Sequence, residues 1–252
     1  MRNKIYNPVL EKEFKLRFRS GKSFLGVFVY LFILAILALG YLYVISLGQS
    51  HLFFQPHESR GLFSYLAVIQ LIMLLFITPG LTAGIISGER ERQTLNILLT
   101  TTVSSFRIIT GKLIASIAYL LILVVASLPL FSIVFLFGGV SPGEVLLVFI
   151  IYIITVFTFG AIGILFSTLF QKTIAAVIAS YVATLFLTLG TVILFYISIG
   201  ISIGLDPGGD PVLAQYIASL NPVMAVLSAM EMDITLSLYG FFNFPELPIW
   251  FM

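Results

Sequence analysis

Three clusters in this sequence carry residue types that can do chemistry. His51, His57 and Glu58 are donors of the kind that hold a divalent cation, but no further ligand stands at useful spacing, so they read as loop polarity and no metal site is assigned. "ITGKL", residues 109–113, is like the end of a phosphate-binding loop, whose backbone N–H groups and lysine cradle phosphates. That motif needs Gly where Phe106 stands and Ser or Thr where Leu113 stands, so the chain does not bind ATP by that route. The third cluster is "GERERQTLNILLTT", residues 88–101: Glu89, Arg90, Glu91 and Arg92 in a row, then a return to apolar residues.

The elements that must position these clusters are set by composition. Of 252 residues, 60% are hydrophobic and 10% charged, which excludes an ordinary soluble domain and indicates a polytopic membrane protein. Five stretches lack Asp, Glu, Lys, Arg and His: Ser23–Ile45, Leu62–Ile86, Leu113–Phe137, Val145–Phe170 and Thr173–Ile203. Each exceeds the roughly 20 residues needed to cross a hydrocarbon core about 30 Å thick, so each is expected to be a transmembrane helix. A helix is the default because lipid offers the backbone no partners, and no alternating pattern of barrel strands is present. The first run is too long for a secretory signal and no A-x-A site follows it, so it is expected to be retained. The fifth is longer than a span requires and is expected to tilt, to bend near Gly190 or to project beyond the membrane. There is no cysteine, which rules out disulfides and thiol chemistry.

Within these runs the polar inventory is Gln70, Ser, Thr and Tyr residues, and backbone exposed at Pro79-Gly80 and Pro129. Ionisable groups in a membrane are costly and mark function. Their absence argues against proton-coupled transport and against an intramembrane protease or metalloenzyme; no catalytic residue is assigned. Small residues recur at helical spacing, at Ala175, Ala179 and Ala183, at Ala176 and Ser180, and at Gly160 and Gly163. They mark close helix packing, within the bundle or against a partner, rather than a substrate path.

Orientation follows from the basic residues. Twelve of the thirteen Lys and Arg fall before span one, between spans two and three, or between four and five; Arg60 is the exception. Basic residues in short loops resist transfer, so the N-terminus is expected to be cytoplasmic and the protein multi-pass in the cell membrane. The other side holds Glu58, Glu144, Asp206, Asp210, Glu231, Asp233 and Glu246. Residues 204–252 are expected to form an extracytoplasmic or re-entrant segment, with short helices around Tyr216 and Val223–Met232, the second started by Asn221-Pro222. The closing Pro248–Met252 reads as the aromatic start of a sixth span. No repeat or linker divides the chain, which is read as one transmembrane domain over residues 1–252.

Before the first span, residues 7–19 open with Asn7-Pro8 and set Leu10, Phe14 and Phe18 on one stripe, with Lys12, Lys15, Arg17 and Arg19 largely off it. A basic amphipathic helix of this kind is expected to lie in the interface, its cations near anionic lipid headgroups.

The charged quartet asks for more than topology. Gly88 is expected to close span two in the left-handed conformation, with a short helix following in which Glu89–Arg92 lie near the start and Leu95, Ile97, Leu98 and Leu99 supply apolar contacts. Topology needs only the arginines; the acids and the leucine ridge are left over. Here "GERERQTLNILLTTTVSSFRIITGKL", residues 88–113, resembles the cytoplasmic segment between spans two and three of type-2 ATP-binding-cassette exporter permeases, a pattern of Gly-Glu-(basic)-Glu, Gly-Thr-Leu-Glu, Leu-Leu, Thr-Pro-(apolar)-Ser and Gly-Lys-Leu. The chain departs from it at Gln93, commonly Gly, at Asn96, often Glu, and at Thr102, usually Pro.

The resemblance implies an all-α permease with a coupling segment, residues 88–105, that docks on a separate cytoplasmic ATPase through Glu89, Arg90, Glu91, Arg92, Gln93, Thr94, Leu95, Asn96, Leu98 and Leu99. It implies no cofactor on this chain, ATP and Mg in the ATPase, and a second permease chain, with lipids around them and no nucleic acid. The expected function is ATP-driven export; the uncharged spans suit amphiphilic cargo such as an antibiotic peptide or lipid. The alternative is a membrane sensor or scaffold that binds a peptide or lipid without transporting it, and secondary transport stands third.

Overall fold

The computed structural model describes Phe14 and residues 21–48, 56–94, 105–205 and 212–230. Phe14 is helical and half-buried. Its stripe partners Leu10 and Phe18 lie outside the described residues, as do His51, Leu95, Asn96, Leu98, Leu99 and the closing residues 248–252.

Among the described residues the chain is helical throughout, with no strand. The elements are α1 (Gly21–Gly48), α2 (Pro56–Thr82), α3 (Ser87–Glu91), α4 (Ser105–Ala126), α5 (Leu128–Phe137), α6 (Pro142–Leu169), α7 (Thr173–Leu185), a π turn (Phe186–Gly190), α8 (Thr191–Leu205), α9 (Val212–Ser219) and α10 (Pro222–Ala229). They supply five helices long and apolar enough to cross a membrane: Ser23–Leu47, Glu58–Glu91, Phe106–Val134, Pro142–Leu169 and Thr173–Ser202. Arg90, Arg92, Arg107, Lys112 and Lys172 gather at one end of the bundle, hereafter the basic end, with Glu58, Arg60 and Glu144 at the far end.

The interruptions have local causes. In the third span Pro129 has no N–H to give to the preceding turn, and the helix breaks at Ser127. The break is repaired internally, since Ser127 Oγ donates to Val124 O at 2.7 Å and Ser127 O accepts from Leu130 N at 2.9 Å. Ser141 starts α6, its hydroxyl accepting from Glu144 N at 3.2 Å with Pro142 in the first turn, so the Ser-x-x-Glu spacing of a helix start was present in the sequence. The fifth run stays helical to Leu205, and next to Gly190 the α-helix widens into the π turn at Phe186–Gly190.

Two kinds of packing divide the core. Toward the far end, rings fill the space: Phe63 meets Phe131 edge-on at 5.6 Å between centroids, Phe131 meets Phe149 at 5.7 Å, and Phe149 meets Tyr152 at 5.6 Å. Toward the basic end, α2, α6 and α7 approach through small and hydroxyl residues. Ala176, Ser180 and Thr184 form a buried stripe on α7, while Ala175, Ala179 and Ala183 are half-buried beside it. Gly163 of α6 sits so close to α2 that an added Cβ would collide with Thr82 Oγ1. In lipid, association rests on such close approach rather than on the hydrophobic effect.

The short helices α9 and α10 reach into this bundle from the far end. Asn221, almost fully buried, caps α10 by accepting from Val223 N at 2.8 Å. The same amide donates to Thr188 O at 2.7 Å and to Thr191 Oγ1 at 2.8 Å, at the π turn near the midpoint of the fifth span. At the other end of α10, Met230 O accepts from Arg60 Nη2 at 2.6 Å, at the head of α2. Helix α10 thus runs from mid-bundle back to the far end, with Val226 and Met230 joining the aromatic core.

Candidate functional site

The junction at the basic end begins with the termination of α2. Thr78 and Thr82 turn their hydroxyls back onto Leu74 O (2.6 Å) and Thr78 O (2.8 Å), a local bonding that loosens helices. The chain then turns over residues 83–86 and resumes as α3. Two N–H groups in this passage leave the ladder for another helix: Ile86 N and Ser87 N both donate to Ser167 Oγ of α6, at 2.8 and 3.0 Å. Ser167 is fully buried, so one hydroxyl satisfies backbone groups that lipid could not.

Gly88 does not close the span. It lies inside α3, and its backbone is not left-handed; the left-handed residue is Gln93, at φ 58°. Around it Thr94 N donates to Glu89 O at 3.0 Å and Gln93 N to Arg90 O at 3.1 Å, the paired bonds of a Schellman helix end. The charged quartet therefore forms its own short helix and stop; Leu95, Ile97, Leu98 and Leu99 lie outside the described residues.

Each of the first three charges reaches a different neighbour. Glu89 Oε1 accepts from Lys112 Nζ at 2.7 Å; the lysine is 5% exposed and the carboxylate 25%. Arg90 donates to Thr168 O at 3.2 Å and Phe170 O at 3.4 Å, placing a cation on the last carbonyls of α6, where the helix dipole favours it. Glu91 Oε2 accepts from Thr173 Oγ1 at 2.6 Å, placing an anion at the first turn of α7. That hydroxyl first, then the Thr173 backbone N–H, hold the exposed Glu91 carboxyl below its ordinary pKa. Helix α3 is in this way bonded to α4, α6 and α7 while continuous with α2.

Arg92, Gln93 and Thr94 are exposed, and Arg92 makes no ion pair among the described residues. Glu89, Glu91 and Arg92 face an open cleft of about 460 Å³ whose floor includes Gly84, Gly88 and Thr173. Lys112 was part of the motif in the sequence but carried no role there. Ser167 and Thr173 were missed; their only signals were the hydroxyl pair Ser167-Thr168 one turn before the end of span four and a hydroxyl at the start of span five.

A polytopic helical membrane protein with a charged joint at one end is the class that this fold and site define. Residues 7–250 match the family described as ABC-2 family transporter protein. The chain belongs to that family and is a membrane permease subunit of an ABC transporter. Comparison with curated proteins gives no match.

Proposed function

We propose that this chain is the non-catalytic permease of an ATP-driven exporter, moved by a separate cytoplasmic ATPase and carrying amphiphilic cargo such as an antibiotic peptide or lipid. In this reading the basic end faces the cytoplasm and residues 88–105 are the coupling segment, worked by ATPase subunits paired with two permease chains. One observation carries it: the bonding of α3 to α4, α6 and α7 through Glu89, Arg90 and Glu91. A force applied to the exposed residues Arg92–Thr94 reaches the ends of four spans together, because α3 follows α2 in the chain and is bonded to the other three. The charged pairs set register, and the cleft beside them offers a partner surface an open edge.

Crosslinking tests the reading. The chain has no cysteine, so an Arg92→Cys change gives a unique attachment point. The expected result is a crosslink to the co-expressed ATPase, together with nucleotide-dependent efflux from reconstituted vesicles. A chain that retains no ATPase in mild detergent, or that binds peptide or lipid without ATP-dependent movement, is a sensor or scaffold instead.

A further inference from the structure

Gln70 lies in the middle of α2 and is fully buried, yet neither its Oε1 nor its Nε2 has a hydrogen-bond partner among the described residues. Its neighbours one turn away along α2, Leu66 and Leu74, are buried and apolar. One turn back on the same face, Ala67 O accepts from Tyr152 Oη of α6 at 2.9 Å. A helical side chain leans over the turn that precedes it, so the Gln70 amide is directed to the neighbourhood of that hydroxyl. Tyr30 of α1 is also buried without a partner for its hydroxyl among the described residues, and it belongs to the same core cluster as Tyr152. Three helices thus contribute a buried amide and two phenols to the same core, with donors and acceptors of both kinds.

We propose that Gln70, Tyr152 and Tyr30 form a binding site for ordered water at mid-membrane depth. Water is the ligand whose chemistry fits. Gln70 brings two N–H donors and a carbonyl acceptor, and each tyrosine hydroxyl can donate or accept, so water molecules with two to four partners satisfy the set without any ionised group. A cation would leave the amide N–H groups unmet, and an anion would meet no positive charge there. The site depends on packing alone and not on the transport reading. Its consequence is mechanical: a water bridge can be exchanged as α1 and α6 shift against α2, where a direct side-chain bond would hold one register.

The test is radiolytic hydroxylation of the full-length chain in lipid nanodiscs, with H₂¹⁸O as the probe. Radicals formed from bound water label the nearest rings, and the label carries ¹⁸O only if that water exchanges with bulk. Tyr30 and Tyr152 are expected to label at least fivefold more than Phe63 and Phe131, which are equally buried. Gln70→Leu is expected to cut labelling of Tyr152 at least threefold while exposed Tyr43 is unchanged. Labelling of both tyrosines at the level of the two phenylalanines in the unaltered chain overturns the proposal, whether or not the variant folds. So does a folded Gln70→Leu chain whose Tyr152 labels as before.

Discussion

At the basic end α2, α6 and α7 are brought together by what their side chains lack, whereas toward the far end rings fill the space between helices. Gly163 against Thr82 is the tightest point of the first region, and Phe131 between Phe63 and Phe149 is the centre of the second. The two regions solve one problem differently. Where hydroxyls and backbone are in contact, hydrogen bonds can cross between helices, as Ser167 does to Ile86 and Ser87. Where rings intervene, contact is dispersion and shape, with few polar bonds to break. The lesson is that the hydroxyl region can hold a defined joint, and the aromatic region can carry bulk without one.

The contrast makes opposite expectations for adding and removing atoms. Phe131→Ala has the largest expected effect: a cavity among rings costs about 3 kcal/mol and lowers the midpoint of thermal unfolding in detergent. An unchanged midpoint would mean that the rings are not packed as a core. Gly163→Ala comes next, at about 1–3 kcal/mol from overpacking, although it adds a single methyl. Part of that loss is expected to return in the double change with Thr82→Ala, and no recovery would place the strain elsewhere. Asn221→Ala removes a cap and the two bonds its amide makes to the π turn, for about 1–2 kcal/mol, read as earlier proteolysis of α9–α10. Equal protease resistance in variant and parent would show that the short helices are held by apolar contact alone. Gln93→Gly is the smallest and has the opposite sign. Relief of a left-handed non-glycine residue is expected to stabilise the end of α3 by about 0.5–1 kcal/mol, seen as slower amide exchange at Thr94.

Much of this division was legible in the sequence, and for identifiable reasons. Five charge-free runs longer than a bilayer needs left little alternative to five helices, and Asn221-Pro222 announced a helix start that the structure uses. What could not be read is where partners are remote. The run Leu62–Ile86 stays free of charge past Thr82, and although Thr82 and Gly84 mark a weak point, nothing local says that Ser167 receives the freed N–H groups. Gly88 was the natural residue for a left-handed stop, yet Gln93 takes that conformation because α3 ends only after its charges have reached their neighbours. Asn221 was readable as a cap but not as the donor to a π-turn carbonyl more than thirty residues earlier. In each case the signal lies in a pair of residues, and the sequence displays them singly.

In the proposed role α3 is a rigid joint held by its bonds to neighbouring helices, among them the Glu89–Lys112 ion pair. Exchange of the two charges tests it most directly, with the hydrolysis rate of the partner ATPase, reconstituted with this chain in vesicles, as the readout. Glu89→Lys and Lys112→Glu singly are expected to abolish the stimulation of ATP hydrolysis by the permease, and the double exchange to restore at least half of it. Full stimulation in either single variant, or no recovery in a folded double variant, would contradict the account.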